Sequence, residues 1–312
     1  SSHFGSLRLG LSRLAQVLAR RSVSYLLAMA LVSVPRCNGR VASLAQRLGL
    51  GKAPVIVRQL AGNVSTHPGL KLHMYDHCMF CSRVRLVLGW LKVPYEKQVY
   101  GYGQGADPAK NDGYGYDPSG GPVRLTGKKS LPVLEGERVP APDGMKGLPE
   151  SMEICSYVTG VATGDRRIAA ATGRADIQEW FGRCRSVGAQ LHRPRIVKVP
   201  LPDFADPRDI DYSKHSHTKS GFSYDESLAA TPKLLQEISG IMHELEPMLR
   251  GVTEDGTPCL NAWGFSMDDV NCLSYMRNLT CVHGIDYPPK VRDYIEKTCY
   301  LAGLDTYFDY AS

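Results

Sequence analysis

The sequence predicts an α/β domain followed by an all-α domain, and three observations support this prediction. A strand–helix–strand pattern begins at Leu70 and surrounds the pair Cys78 and Cys81. Apolar residues in the second half of the chain recur at helical spacing. Residues 1–69 differ from both parts because they are basic and contain no Asp or Glu. A chain of 312 residues is long enough for two domains and an extension.

Residues 1–69 have the composition of a targeting leader or a basic extension. Leu7–Arg21 can form a basic amphipathic helix, which is typical of the transit peptides of plastids and mitochondria. The apolar run Ser22–Val34 is too short to span a bilayer and would suit the hydrophobic region of a signal peptide. The alternative is an ordered extension that contacts a partner in an organellar protein complex. We therefore expect an organellar location, plastid or mitochondrion, and no transmembrane span.

The net charge of +6 does not indicate a nucleic-acid partner, because the basic excess lies in the first quarter of the chain. The first acidic residue is Asp76, and from there onward Asp and Glu slightly outnumber Lys and Arg. A folded body with a small acidic excess lacks the basic surface that binding to nucleic acid requires. We expect no nucleic-acid binding.

The segment from Leu70 to Leu91 carries the predicted chemistry. Leu70–Tyr75 alternates like a strand, and Ser82–Leu91 has helical spacing, so Cys78 lies where a strand meets a helix. Unpaired N–H groups at a helix N-terminus stabilise a thiolate, which is the nucleophile in disulfide exchange. Cys81 follows one turn later, close enough to form a disulfide. Cys78 would attack a disulfide and Cys81 would resolve the intermediate, with His77 adding positive potential.

Zinc sites use the same Cys-x-x-Cys spacing, but they usually need a second ligand pair. The nearby candidates are His73 and His77, and the sequence has no second Cys-x-x-Cys, so redox chemistry is favoured and no metal site is predicted. His215 and His217 fall in a segment predicted to be a solvated loop. The remaining cysteines are predicted to be small buried apolar residues in a reducing compartment: Cys37, Cys155, Cys184, Cys259, Cys272, Cys281 and Cys299.

After the first helix, Val93–Tyr100 is predicted to be a second strand, parallel to the first. Residues 101–123 are rich in Gly and Tyr and form a predicted loop insertion, either a solvated spacer or a Tyr-rich recognition surface beside the active site. Lys128–Leu134 leads into another strand. A helix begins near Ser151, which is a candidate N-cap.

The C-terminal half is predicted to be helical, with an irregular segment at Pro194–Ser223. It shows no catalytic constellation, and its expected role is to wall one side of the cleft and select partners. Its predicted elements are helices at Asp176–Leu191 and Ser227–Leu249, a capped helix start at Ser266, and helices near Asn271–Val282 and Pro289–Ala302.

Four motifs resemble the two-domain glutaredoxins of the bacterial glutaredoxin-2 type. They are Tyr75-Asp76-His77-Cys78-x-x-Cys81, Lys129-Ser130-Leu131-Pro132-Val133-Leu134, Pro149-Glu150-Ser151-Met152, and Met276-Arg277-Asn278-Leu279-Thr280 with Gly284-Ile285-Asp286-Tyr287-Pro288. Their order and rough spacing agree over about Leu70 to Leu304. The leader and the Gly/Tyr insertion lie outside the resemblance.

The resemblance implies a thioredoxin-like domain at residues 70–160 and a glutathione-transferase-like helical domain at 161–312. It also implies glutathione as cosubstrate, and reduction of protein disulfides or glutathionylated proteins through Cys78 and Cys81. It further implies the glutathione-binding residues: His77, Met79 and Phe80 around the first cysteine; Lys129 for a carboxylate; Leu131 for backbone pairing; Pro132 as a cis proline facing the dithiol; and Glu150 and Ser151 for the γ-glutamyl end.

Met79 departs from the family pattern, which usually has Pro after the first cysteine, so we expect activity with an altered redox potential. Three other functions remain open. One is a glutathione-transferase-like conjugating enzyme, which would not need Cys81. The second is a redox-fold accessory subunit of an organellar complex. The third is an iron–sulfur carrier with Cys78 and glutathione as ligands across a dimer.

Overall fold

A computed structural model describes residues 69–312 of the chain. Residues 1–68, which make up almost all of the predicted leader, lie outside the described residues. In the described part, no helix combines the length and the apolar character needed to cross a membrane.

A four-stranded mixed sheet forms the centre of the N-terminal half. Its strands are β1 (Lys71–Met74), β2 (Glu96–Val99), β3 (Val133–Glu135) and β4 (Leu148–Pro149), in the order β2-β1-β3-β4. β1 runs parallel to β2 and antiparallel to β3, which pairs antiparallel with β4. The predicted parallel pair after the first helix is therefore confirmed. Leu72 and Leu134 are opposite each other and fully buried, so the middle of the sheet belongs to the core.

The helices are α1 (Met79–Trp90), α2 (Val123–Thr126), α3 (Ser151–Val161), α4 (Ala175–Ile196), α5 (Pro207–Lys219), α6 (Tyr224–Ala229), α7 (Thr231–Leu245), α8 (Met267–Leu279) and α9 (Pro289–Ala302). Short 3-10 turns lie at Pro108–Lys110, Pro202–Phe204, Glu246–Met248 and Phe308–Tyr310, and a two-stranded ribbon pairs β5 (Gly251–Val252) with β6 (Pro258–Cys259).

α1 carries Cys81 and packs against α3 on one side and against α8 and α9 of the helical half on the other. Gly89 permits the contact with α9, because a Cβ atom there would lie 1.8 Å from the carbonyl oxygen of Ala302. The backbones of the two helices therefore approach each other directly. This close packing fixes the redox helix against the helical half of the chain.

A buried ion cluster joins the same two halves. Asp76 Oδ1 accepts hydrogen bonds from Arg85 Nη1 at 2.8 Å and from Arg277 Nη2 at 2.6 Å. Arg277 lies on α8 and also donates to the backbone oxygens of Asp76 and Asp305, each at 2.8 Å. Charge-assisted bonds of this kind fix the chain just before the Cys-x-x-Cys segment.

The prediction that Pro194–Ser223 is irregular is wrong, because most of this segment is helical. α4 continues through Pro194 to Ile196, and α5 begins at Pro207. Asp206 caps α5 by accepting from the backbone N–H of Arg208 at 3.0 Å, and proline suits the first helical position since it has no N–H to satisfy. His215 and His217 therefore lie on a helix and not in a solvated loop.

The predicted single helix Ser227–Leu249 is two helices, α6 and α7, which meet at Ala230. Pro232 lacks the N–H that a continuous helix would use there. The capped start at Ser266 is confirmed: Ser266 and Asp269 form a reciprocal capping box at the beginning of α8. The helix at Pro289–Ala302 is confirmed with the predicted bounds.

Candidate active site

Cys78 is the N-cap residue of α1 and is partly exposed. The Cys81 thiol donates a hydrogen bond to its sulfur, and the backbone N–H groups of Phe80 and Cys81 point at the same atom. These donors, together with the charge of His77, outweigh burial and lower the pKa of Cys78 to about 6. Cys78 is thus the thiol of the pair that is ionised at neutral pH, as a nucleophile in disulfide exchange must be.

Cys81 is fully buried behind Cys78. Burial and the hydrogen bond to Cys78 raise the pKa of Cys81 well above its ordinary value. The backbone N–H of Tyr75 donates to its sulfur at 3.4 Å. The two cysteines therefore have opposite properties. Cys78 is reactive and accessible, whereas Cys81 stays protonated until Cys78 has formed a mixed disulfide.

His77, immediately before the nucleophile, is held by two residues of the helical half. Asp203 Oδ2 accepts from the backbone N–H of His77 at 3.2 Å and also from its ring Nδ1–H. Asn278 Nδ2 donates to the carbonyl oxygen of His77 at 2.7 Å. Phe204 packs on the imidazole with ring centroids 4.6 Å apart. Backbone and ring of His77 are both fixed, so its charge stays beside Cys78.

Asp203 is a functional contact that the sequence did not reveal, and Asn278 belongs to a motif of the resemblance to which no role was assigned. The expectation that the C-terminal half walls the cleft and selects partners is therefore incomplete. Asp203 is fully buried, and its Oδ1 has no hydrogen-bond partner among the described residues. Among residues 69–312, the imidazole of His77 is the side chain that hydrogen-bonds to this buried carboxylate, so Asp203 fixes the orientation of the ring.

A cleft of about 1090 Å³ opens beside Cys78. It brings together His77, Cys78, Met79, Phe80, Lys129 and Leu131 of the predicted site. The Leu131–Pro132 peptide bond is cis, as the resemblance implies. Pro132, Glu150 and Ser151 are not among the residues that line this cleft.

Lys129 lies in a cage of three tyrosine rings. Its Nζ is 5.1, 4.5 and 4.6 Å from the ring centroids of Tyr75, Tyr102 and Tyr212. Cation–π contacts of this kind fix the ammonium group in place. Burial lowers the pKa of Lys129 to about 8, so the group is charged at neutral pH and becomes neutral in mild alkali. It forms no ion pair with a carboxylate among residues 69–312 and lines the cleft as a cation suited to an anionic ligand.

The Glu150–Ser151 pair lies at the start of α3, but Ser151 is not the N-cap as predicted. Glu150 is the cap residue, with a φ of 65° in the left-handed region, and Ser151 is the first helical residue. The Ser151 hydroxyl accepts from Arg83 Nη1 at 2.9 Å, and the Arg83 guanidinium lies 5.3 Å from the Phe80 ring centroid. Through Arg83, Ser151 is connected to an aromatic residue that lines the cleft.

The Gly/Tyr insertion at 101–123 folds against α5, so its interpretation as a solvated spacer is wrong. Asp209 Oδ1 accepts from the backbone N–H of Gly103 at 2.6 Å and from the hydroxyl of Tyr116 at 2.8 Å. Glycine at 101 leaves room for this contact, because a Cβ atom there would lie 2.4 Å from the Tyr116 hydroxyl oxygen and force that side chain to shift. The insertion places Tyr102 in the cleft, while Tyr114 is exposed.

The zinc alternative has no geometric support in the part of the chain that the structure describes. His73 is engaged by Tyr100 and Glu135, each at 2.8 Å, and His77 is engaged by Asp203. No group of three or more His, Cys, Asp or Glu residues in residues 69–312 is arranged to hold a metal ion. The prediction of buried cysteines is confirmed for Cys155, Cys184, Cys259, Cys272, Cys281 and Cys299, and Cys37 lies outside the described residues.

Comparisons with known proteins agree with this geometry. Residues 176–311 match the family model "Glutaredoxin 2, C terminal domain", and residues 77–159 match "Glutathione S-transferase, N-terminal domain". The chain is 28% identical to glutaredoxin 2 of Escherichia coli strain K12 over 230 residues, which cover 72% of this chain and 92% of that protein.

A solved structure shows the same two-domain fold. The crystal structure of glutaredoxin 2 from Salmonella typhimurium in complex with glutathione matches with a TM-score of 0.63 and 27% identity. The match covers 78% of this chain and 99% of that one. The described fold is therefore similar to that of a protein that binds glutathione.

Proposed function

We propose that this chain, a two-domain protein of the glutaredoxin 2 type, is a glutathione-dependent thiol–disulfide oxidoreductase that acts on protein disulfides and glutathionylated proteins. The observation that supports this most directly is the asymmetric pair at the start of α1. Cys78 is accessible and has a lowered pKa, whereas Cys81 is buried and has a raised pKa. A nucleophile and a protonated resolving thiol are what a dithiol exchange reaction needs.

The reaction is an exchange of disulfide bonds. The Cys78 thiolate attacks the glutathione sulfur of a glutathionylated substrate, the sulfur–sulfur bond breaks, and the substrate leaves as a thiolate that takes up a proton. Cys81 then loses its proton and attacks Cys78, which releases glutathione and leaves a Cys78–Cys81 disulfide. Two further glutathione molecules reduce that disulfide and leave as glutathione disulfide.

Several residues of the cleft suit glutathione, which is an anionic tripeptide at neutral pH. Lys129 presents a caged ammonium group to one of its carboxylates. The backbone of Leu131 lies in the cleft next to the cis bond, where it can pair with the cysteinyl part of the tripeptide. Glu150 and Ser151 at the start of α3 are not among the residues that line the cleft, and the resemblance assigns them to the γ-glutamyl end, where helix N–H groups would favour a carboxylate.

A glutathione transferase activates the thiol of glutathione and does not require a protein dithiol. In this chain the activated thiol belongs to Cys78, which favours disulfide exchange over conjugation. A glutathione-coupled assay with a glutathionylated peptide tests the proposal. We expect turnover by the full chain and none by Cys78→Ser, and an active Cys78→Ser variant would exclude this function.

We also propose that residues 1–69 direct the chain to a plastid or mitochondrion, where it would reduce its substrates, alone or in an organellar complex. The basic, acid-free composition of the segment supports this proposal. Fusing residues 1–69 to a fluorescent protein tests it. Accumulation in either organelle is expected, and a diffuse cytosolic signal would contradict it.

A further inference from the structure

The cleft is larger than one glutathione requires. Its volume of about 1090 Å³ is slightly above the roughly 300–1,000 Å³ of pockets that enclose a whole drug-sized ligand. The predicted glutathione contacts occupy the wall formed by Cys78, Lys129 and Leu131. One face of α4 also lines the cleft, and the proposed function assigns it no role.

This face of α4 has two arginines with small residues between them. The residues that line the cleft are Gly182, Arg185, Ser186, Ala189, His192 and Arg193. Arg185 and Arg193 are eight residues apart, or about 12 Å along the helix axis. An extended peptide advances about 3.3 Å per residue, so this distance corresponds to three or four residues. We call the face between and including these two arginines the distal groove.

The positive charges of Arg185 and Arg193 are not balanced by a carboxylate in the described part of the chain. Arg185 lies over the ring of Phe181 and Arg193 over that of Phe222, at 5.7 and 5.0 Å from the ring centroids. Among residues 69–312, neither forms an ion pair with a carboxylate. The one acidic residue that lines the cleft is Asp107, which faces Lys110 at 3.6 Å and caps a 3-10 turn. The distal groove therefore carries two unbalanced positive charges.

The distal groove and the nucleophile line the same cleft, together with Tyr102. Burial, with a smaller contribution from the charge of Arg193, lowers the pKa of His192 to about 3 and that of His217 to about 4, so both rings are neutral at neutral pH. A ligand bound along α4 therefore lies in the same cleft as the sulfur of Cys78.

From this geometry we infer that the distal groove binds the second half of the disulfide substrate, and that this half is a short anionic peptide thiol of about the size of glutathione. The inference rests on the proposed function and names its substrate class. The preferred substrate is a mixed disulfide between glutathione, held at Lys129, and a peptide with a negative charge at each end, held by Arg185 and Arg193. When Cys78 attacks the glutathione sulfur, the peptide leaves as a thiolate from a groove of positive potential, which stabilises the leaving charge.

Three mixed disulfides of glutathione test the inference with the full chain. Their second halves are capped tripeptides that differ only in charge: Glu-Cys-Glu, Gln-Cys-Gln and Lys-Cys-Lys. We expect kcat/KM to be about tenfold higher for the acidic peptide than for the neutral one, and lowest for the basic one. The preference for the acidic peptide should weaken as ionic strength rises.

Substitutions on α4 test whether the distal groove causes the preference for the acidic peptide. Arg193→Gln and Arg185→Gln should each reduce the ratio of acidic to neutral kcat/KM several-fold, the double variant should bring it close to one, and Arg193→Lys should restore part of it. Ala189→Glu places a negative charge between the arginines and should make the acidic peptide the poorer substrate. Arg292→Gln removes an exposed arginine of α9 that pairs with Glu296, and serves as the matched control with an unchanged ratio.

The outcomes separate this inference from the proposed function. Equal kcat/KM for all three disulfides would exclude the proposed binding role of the distal groove but not the oxidoreductase function. The same holds if the double variant leaves the ratio of acidic to neutral kcat/KM unchanged. Turnover of none of them would overturn the oxidoreductase itself, and the distal groove with it.

Discussion

Asp203, from the helical half of the chain, accepts hydrogen bonds from both the backbone N–H and the ring Nδ1–H of His77, the residue that precedes the nucleophile. The two residues are 126 positions apart in the sequence. Since the charge of His77 is one of the factors that lower the pKa of Cys78, the helical half takes part in activating the thiol and does more than wall the cleft.

The first prediction concerns this pair. His77→Gln should raise the pKa of Cys78 and slow its alkylation at pH 6 by about three- to tenfold, because a positive charge beside the thiolate is lost. Asp203→Asn should act in the same direction, since the His77 ring loses the carboxylate that accepts from its Nδ1–H and holds it beside Cys78. Iodoacetamide kinetics would measure both effects. The double variant should be no slower than His77→Gln alone, and fully additive effects would show that Asp203 does not act through His77.

The second prediction concerns the pH dependence of the wild-type thiol. Because the pKa of Cys78 is lowered to about 6, its thiolate fraction rises as pH increases through 6 and is nearly complete at pH 7.5. Alkylation of the reduced protein should therefore follow a titration centred near pH 6. In Cys78→Ser this phase should disappear, since the other described cysteines are buried. A midpoint near the ordinary thiol value of about 8.5 would contradict the described geometry.

The third prediction concerns Lys129. Lys129→Gln should raise KM for glutathione about tenfold, because the caged ammonium no longer meets a carboxylate. With the pKa of Lys129 at about 8, KM in the wild type should also rise as pH increases through 8, when the ammonium becomes neutral. Lys128→Gln is the matched control because Lys128 is exposed and does not line the cleft. Equal KM values for glutathione in the two variants would show that Lys129 does not bind glutathione.

The fourth prediction concerns stability. Burial disfavours ionisation of Asp76, but Arg85 and Arg277 outweigh it and hold the pKa of Asp76 well below its ordinary value. The ion cluster is therefore intact above pH 4 and loses its contribution only as pH falls through that lowered pKa. Asp76→Asn should lower the free energy of unfolding by about 3 kcal/mol at pH 7, since two buried guanidinium groups lose their carboxylate.

Urea denaturation of Asp76→Asn at several pH values would measure this loss. The exposed Asp143→Asn serves as control and should unfold like the wild type. The gap between Asp76→Asn and the wild type should persist from pH 7 to pH 5. A gap that closed already at pH 5 would show that the cluster does not hold Asp76 ionised.

Local features of the site were predictable from the sequence. The strand before Cys78, the helix after it and the capping box at Ser266 all depend on residues within one or two turns of each other, and they appear as predicted. The cis bond at Pro132 followed from the family resemblance. Apart from the cis bond, the residues that determine these structures are neighbours in the chain.

Other features depend on partners that are distant in the sequence. Nothing near Asp203 marks it as the partner of His77, and nothing near Gly103 shows that Asp209 will accept its N–H. Serine is a residue type that often caps helices, but the hydroxyl of Ser151 accepts a hydrogen bond from Arg83 instead. The helix at Pro207–Lys219 is different: Asp206 and Pro207 are a recognisable start signal, which the polar composition of the segment obscured.

The proposed function requires Cys78 to carry glutathione during turnover and Cys81 to resolve the adduct. Intact-protein mass spectrometry of Cys81→Ser, mixed with a glutathionylated peptide, tests this directly. We expect one glutathione per chain, located on Cys78 and removable by free glutathione, whereas the wild type should form the Cys78–Cys81 disulfide and retain no adduct. Absence of an adduct in Cys81→Ser, or an adduct that persists in Cys78→Ser, would exclude these roles for the two cysteines.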